Sequence, residues 1–408
     1  MLMEGDMQMK ISLSSFLHFS KNAKVFLLTE ICFGFATGLL SVHLNFYLRS
    51  AGLEPYAIGH VSMAGAIATA LFALVASRFS NRRGYYPVCM LGGLMQGFGL
   101  FAVAATDSMV FIISGQVLYA VGLTCIHAVE FPYVTAMTEP EHKSSAYFYL
   151  ILVFSISSIL GNVSGGWVLN MNAAAVNPYR LSILASGGGF VLLTLLRLKL
   201  PNIAPAKKVK VAGFWKLLTK PNTRWFFLYH FGFAMTISLL SSMLNLIYKE
   251  VFGFADVLVG QLFSGASLLT FLALLILPGI VKRRSADHVA MLSLAALVLI
   301  FALSIAAPPP LFAALALMRA ALSQVFPVVI ESRMLAAIPP ENQGTYAGLR
   351  ILSNSIGQGI GANITGYLLS FVDYRWLMLC GVVFAAGNFL LYTFRCRPNL
   401  DRPAEKAL

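Results

Sequence analysis

Apolar positions in this chain run in long unbroken stretches and do not alternate with polar ones. Segments free of Asp, Glu, Lys and Arg occupy 31–48, 55–77, 84–106, 108–129, 144–179, 181–196, 225–248, 257–281, 288–318, 351–372 and 376–394. About 20 mostly apolar residues suffice for a helix to cross the hydrocarbon core. In lipid only helices and closed barrels satisfy their own backbone, and a barrel would show roughly ten-residue alternating segments instead. The run 288–318 contains Pro308, Pro309 and Pro310, which end one helix and let another begin. The second continues past Arg319 to about Ala336. The pattern predicts twelve helices, over 24–49, 56–78, 86–105, 109–136, 144–170, 179–198, 224–250, 256–280, 287–306, 310–336, 343–371 and 375–395.

Composition agrees. Of 408 residues 58% are hydrophobic and only 11% charged, against about 25% charged in soluble chains. Soluble, disordered and disulfide-scaffold classes are excluded, and five scattered cysteines form no spacing pattern. The net charge of +13 would suit nucleic acid, but its distribution argues for a membrane. Of 29 basic residues, 23 fall in alternate loops: Lys10 to Lys24, Arg78 to Arg83, Lys143, Arg197 to Arg224, Lys282 to Arg284, Arg333, and Arg395 to Lys406. By the positive-inside rule both termini are expected in the cytoplasm, with the protein in the cytoplasmic membrane. No nucleic-acid partner is expected.

The two halves match at a shift of 201 residues. Tyr47, Gly52 and Gly59 fall on Tyr248, Gly253 and Gly260; Asn81–Arg83 falls on Lys282–Arg284; Asn162–Gly165 falls on Asn363–Gly366. Phe131–Pro132 and Phe326–Pro327 pair at a shift of 195. Two parallel repeats of six helices are expected, 1–200 and 223–408, joined by a basic linker at 201–222. Its stretch 213–218 is expected to lie against anionic headgroups or in solvent.

This organisation resembles the major facilitator superfamily over essentially the whole chain. The family's loop signature between helices two and three aligns with Ser77 to Tyr86, keeping Phe79, Arg82 and Gly84, with Asn81 in place of its Asp. Its antiporter signature aligns with Ser157 to Gly166, keeping Gly161, Gly165 and Gly166. The resemblance implies an all-α membrane protein of two pseudo-symmetric six-helix bundles. It further implies a central cavity, peripheral helices three, six, nine and twelve, and gating at Asn81, Arg82 and Gly84. Helices three, six, nine and twelve are indeed nearly all apolar.

Polar side chains at helical spacing mark the faces expected to line that cavity. Helix one aligns Glu30, Thr37, Ser41 and Asn45; helix four aligns Tyr119, His127 and Glu130; helix five carries Asn162. Helix seven carries Ser242 and Asn245, helix eight Gln261, and helix eleven Arg350 and Asn354. Charges at membrane depth are functional by default. Glu30 resembles the helix-one glutamate of proton-coupled multidrug antiporters, so Glu30, Glu130 and His127 are the candidate proton-coupling residues; a static ion pair of Glu30 with Arg350 or another base is the alternative. The helix-four arginine of drug antiporters is missing, Leu118 standing there. Arg319 is its candidate substitute or the partner of an anionic substrate. Glu331 and Arg333, near the end of helix ten, are expected to hold the cytoplasmic gate.

The expected function is secondary active transport of a small organic solute, by proton antiport in the export direction. Alternatives are proton-coupled import of a sugar- or nucleoside-like metabolite and lipid or lysolipid transport. The expected partners are that solute, protons and the bilayer, with the protein a monomer. No enzymatic constellation, cofactor or metal site is read from the sequence, since the His127–Glu130 pair lacks further ligands.

Overall fold

The computed structural model of the protein describes residue 16 and residues 18–168, 177–204, 217–283, 285–339 and 342–400. Twelve long helices follow in order: α1 Lys21–Ser50, α2 Pro55–Arg83, α3 Tyr85–Ala105, α4 Met109–Ala136, α5 Lys143–Val168 and α6 Pro178–Leu196; then α7 Pro221–Ser241, α8 Asp256–Arg283, α9 Ala286–Ser304, α10 Pro309–Ala336, α11 Gln343–Phe371 and α12 Tyr374–Leu391. No strand occurs among the described residues. Eleven of the helices are long and apolar enough to cross a membrane. The helix outside that set is α11, which has the length, at 29 residues, but carries Arg350, Asn354, Gln358 and Asn363 along it.

Local chemistry sets the boundaries. Ser20 caps α1 by accepting from the Ala23 N–H at 3.2 Å, and α1 starts three residues earlier than the apolar pattern suggests because the charged turn Lys21–Lys24 is helical. Prolines begin α2, α6, α7 and α10, where the missing N–H costs nothing. After α1 the chain reverses at Gly52, φ +87°, and at the equivalent place in the second half it reverses at Gly253, φ +68°. Each glycine N–H returns to a carbonyl three or four residues back, Arg49 at 3.0 Å and Lys249 at 3.1 Å. The duplication in sequence is thus a duplication of turn geometry, at positions where a side chain would be strained.

One difference from expectation concerns the seventh helix. A single span over 224–250 is expected; the α-helix stops at Ser241, and the chain passes Met243, at φ −136° and ψ 27°, into the short helix Leu244–Leu246 and a π turn, Ile247–Val251. The segment 205–216, which forms most of the expected linker and of its interfacial stretch, lies outside the described residues.

Helices pack mainly within each half: α1 on α5 and α6, α2 on α4, and α3 on α4 and α6; then α7 on α11 and α12, α8 on α10, and α9 on α10 and α12. Two pairs join the halves along their length, α2 with α11 and α5 with α8. The glycines of the antiporter signature serve these contacts. Gly161 abuts the Phe35 and Leu39 backbone of α1, and Gly166 abuts Val257 at the start of α8, where a Cβ would sit 2.9 Å from the Val257 Cα. Large apolar side chains such as Val110, Leu292 and Val383 point outward, as a lipid-facing surface requires.

Candidate functional site

Between the two joining pairs lies a cavity of about 1920 Å³, walled by α1, α2, α4 and α5 on one side and α7, α8, α10 and α11 on the other. Its mouth is at the α4–α5 connection, where Glu141, His142 and Lys143 line it. Its opposite end is shut by bonds that cross from one half to the other.

That closed end is a layered clasp. Deepest, the Asn45 amide of α1 donates to the Ser242 carbonyl at 2.7 Å and to Asn245 Oδ1 at 2.9 Å, while the Asn245 amide donates to the Val42 carbonyl at 2.8 Å. Asn245 is only 1% exposed. The interruption after Ser241 frees the Ser242 carbonyl from the helix ladder, so the clasp exists because the helix breaks there. Nearer the surface, Arg49 reaches both Glu54 and, across the halves, Glu250, each at 3.0 Å. Lys249 bridges Asp256 at 2.6 Å and the Tyr179 hydroxyl. The Asn363 amide meets His60 at 2.7 Å, and the Tyr56 N–H donates to Ser370 at 2.9 Å.

The cavity wall mixes apolar side chains with scattered polar ones and carries few charges. Thr37, Ser41, Tyr119, Asn162, Ser242 and Arg319, all expected as substrate contacts, line it. Asn162 links the halves across the cavity floor: its carbonyl oxygen accepts from Ser41 at 2.8 Å, and its amide donates to Ser267 of α8 at 3.2 Å. Gln116 Oε1 and Ser242 Oγ are buried in this wall with no hydrogen-bond partner.

Five expected substrate contacts are placed elsewhere. Asn45 and Asn245 form the clasp. Arg350 is paired with Glu331, because the two face each other between α11 and α10. Gln261 is exposed on α8 and Asn354 is half-buried on α11, and neither is among the cavity residues. The expected gate residues have partners inside their own half: Glu331 with Arg350, and Arg333 with Asp287 of α9, which also accepts from the Tyr392 hydroxyl at 3.1 Å. Asn81 is half-buried and Arg82 exposed at the end of α2. Gly84, φ +91°, turns the chain into α3, where the Tyr85 N–H donates to the Ile203 carbonyl at 3.0 Å.

The three expected proton-coupling residues are brought together, beside the cavity and not in it. Glu30 is fully buried and paired with the Arg197 guanidinium. Arg197 also donates to Thr29 Oγ1 at 2.8 Å and to Cys89 Sγ at 3.4 Å, and lies over the Phe26 ring. Glu130, on α4, is held by His127 Nδ1 at 3.3 Å and is near enough to Glu30 and Arg197 to feel both charges. His127 is half-exposed and stands one turn from Leu123 and Phe131, both cavity residues. One guanidinium thus serves two carboxyl groups, as the ion-pair partner of Glu30 and as a nearby positive charge for Glu130, and Glu30 Oε2 has no hydrogen-bond partner. Sequence reasoning missed Arg197, because it follows the last apolar residue of its helix and falls among loop basics. The usable signal was a second intramembrane carboxylate without a cation, which demanded a base from a neighbouring helix. Among the described residues no group of three or more His, Cys, Asp and Glu could hold a metal ion.

Comparison with known proteins follows the same lines. A family model described as Major Facilitator Superfamily matches residues 26–332. Among solved structures, the nucleoside transporter NupG is 14% identical with a TM-score of 0.74, covering 94% of this chain and 100% of that one. A bacterial homologue of the human lysosomal transporter Spinster, in an inward-facing and occupied conformation, is 14% identical with a TM-score of 0.71, covering 92% and 96%. A bacterial homologue of the iron transporter ferroportin, inward-facing, is 12% identical with a TM-score of 0.73, covering 94% and 99%. At these identities the likeness is one of fold. No curated protein matches the chain.

Proposed function

The chain belongs to the Major Facilitator Superfamily, and on that premise we propose that it is a secondary transporter that carries a small organic solute through the central cavity by alternating access. The moving bodies are the halves 1–200 and 223–408, six spans each, with α11 counted as the twelfth span, sheltered by α2 and α7. The carrying observation is the cavity itself, walled by both halves, open at one end and clasped across the halves at the other. With the termini in the cytoplasm, the described state is open inward. Rocking would undo the clasp and close the mouth between the α4–α5 connection and α8.

The ion exchanged is the proton, and the cluster Glu30–Glu130–Arg197–His127 is its site. The cluster has one more carboxyl than guanidinium. Arg197 holds Glu30 in place, so the exchangeable proton belongs to Glu130, which His127 connects to the cavity side. Of the three expected coupling residues, Glu130 is thus the one that carries the proton, with Glu30 positioning it. Export against an inward proton gradient is the direction assigned. A second reading, import of a hydroxylated metabolite, is favoured by the Thr37, Ser41, Asn162 and Ser267 hydroxyls and amide and by the shared fold with a nucleoside transporter.

A substrate-independent test is available. In a variant with the five native cysteines replaced, nitroxide labels at the exposed positions 50 and 251, beside the Arg49–Glu250 pair, report the clasp distance in proteoliposomes. Two populations, one short and one longer by roughly 10 Å or more, exchanging in weight with pH or ligand, are expected for a moving pair of bundles. One short distance under every condition removes alternating access.

A further inference from the structure

The described arginines with ion-pair partners show what this protein does with a cation away from bulk water. Arg197 has Glu30, Arg350 has Glu331, Arg333 has Asp287, and Arg49 has Glu54 and Glu250. Arg319 breaks the rule. It sits in the middle of α10, is 3% exposed, and lines the cavity. Its Nη1 donates to the Ile237 carbonyl of α7 at 3.3 Å, and its Nε, fully buried, has no acceptor. Among the described residues no carboxylate pairs with it. A buried guanidinium without a counter-charge is costly, and folded proteins keep one only where something else supplies the charge.

The surroundings indicate the shape of that missing partner. Glu141, at the mouth, is the one acidic residue among the described residues lining the cavity, and away from the mouth Arg319 is the one charged residue of that lining. Ser242 Oγ, also without a partner, lies on the cavity wall just past Ile237, whose carbonyl the guanidinium touches. Gln116 Oε1 is unpartnered on the opposite wall, and Phe154 and Phe263 supply apolar surface between. We propose that the transported solute is an organic anion whose oxyanion group is received by Arg319 and Ser242. Its neutral, hydrogen-bonding remainder faces Gln116 and the Ser41–Asn162 pair. A guanidinium presents a flat fork of donors that matches a carboxylate or phosphate oxygen pair, which a neutral nucleoside or sugar cannot use. This rests on the transporter reading and narrows its substrate.

The test measures binding to the purified full chain by calorimetry and by shift of melting temperature. The probes are charge-matched pairs: benzoate with benzamide, glycerol phosphate with glycerol, and lysophosphatidylglycerol with a monoacylglycerol. The first two anions stand for soluble solutes and the third for a lipid headgroup. At least one anion is expected to bind roughly ten- to hundred-fold tighter than its neutral partner, the worth of a hydrogen-bonded charge. Arg319→Gln is expected to erase that preference and Arg319→Lys to keep part of it. Should Arg319→Gln not fold, the wild-type comparison and Arg319→Lys still decide the matter. Equal binding of the neutral partners, a preference that survives Arg319→Gln, or no binding by any of the three anions overturns the proposal. A charge preference found beside an immobile clasp distance would instead uphold the site and refute alternating access.

Discussion

Replacing Arg197 should damage the protein far more than replacing Glu30, although the two are partners. Arg197 is 1% exposed and makes donor contacts to Glu30, Thr29 and Cys89. In Arg197→Met these are lost, and two carboxyl groups face each other away from water with no cation between them. Removing one member of a buried pair costs about 3–5 kcal/mol. In Glu30→Gln the shape is kept, the guanidinium retains Glu130 as counter-charge, and the new amide can donate where two acceptors now meet. The cost there is one exchanged hydrogen bond, about 1 kcal/mol. A gap of about 2–4 kcal/mol between the variants should separate their melting midpoints in one detergent, with the fraction surviving heating as a monodisperse species as second readout. The double variant should lose less than the two single losses added, because the residues are in contact. Should Glu30→Gln melt as low as Arg197→Met, or should the losses simply add, then two carboxyls do not share this guanidinium.

Other consequences follow from the clasp and the cluster. Asn45→Ala removes both bonds from α1 to the freed turn of α7, at about 1–3 kcal/mol for the acceptors left unmet; the labels at 50 and 251 should shift toward the long distance, with little loss of folded protein. Gly166→Val pushes α5 from Val257, where a Cβ has no room. The strain of about 1–3 kcal/mol should lower the melting midpoint and lengthen the same distance together. In proteoliposomes loaded with whichever anion the calorimetry identifies, Glu130→Gln should abolish accumulation driven by a pH gradient while leaving exchange of labelled for unlabelled solute intact. Gradient-driven accumulation at the wild-type rate would remove Glu130 from coupling.

Much of the architecture is written in the pattern of apolar runs. Twelve long helices lie where those runs fall, and the triple proline ends α9 and starts α10 as its chemistry requires. The duplication is legible down to the paired turn glycines Gly52 and Gly253. Which residue meets which is less legible. Helical period fixes the direction of a side chain but not its depth or its neighbour. Asn45 therefore reads as a cavity residue on the same stripe as Thr37 and Ser41, and it lies one turn too far, in the seal. Asn245 shares that fate because the break after Ser241 turns its side chain toward α1, and no proline or glycine announces the break. Arg350 reads as a substrate contact or the partner of Glu30, but its partner Glu331 sits on another helix at a register periodicity cannot supply. Arg319 is the reverse case: the sequence offers it either a substitute coupling role or an anion, and the absence of a paired carboxylate among the described residues favours the anion.

The polarity of α11 bears on how the protein is made. A segment with an arginine, two asparagines and a glutamine along its length gains little by partitioning alone into hydrocarbon. In the finished protein α2 and α7 cover it, and both are synthesised earlier. Biogenesis must therefore hold this segment at the translocon or the interface until those two are in place. A chain that begins after α2, and so lacks that cover, should strand the eleventh segment outside the bilayer, a defect that glycosylation tags on its flanks would register.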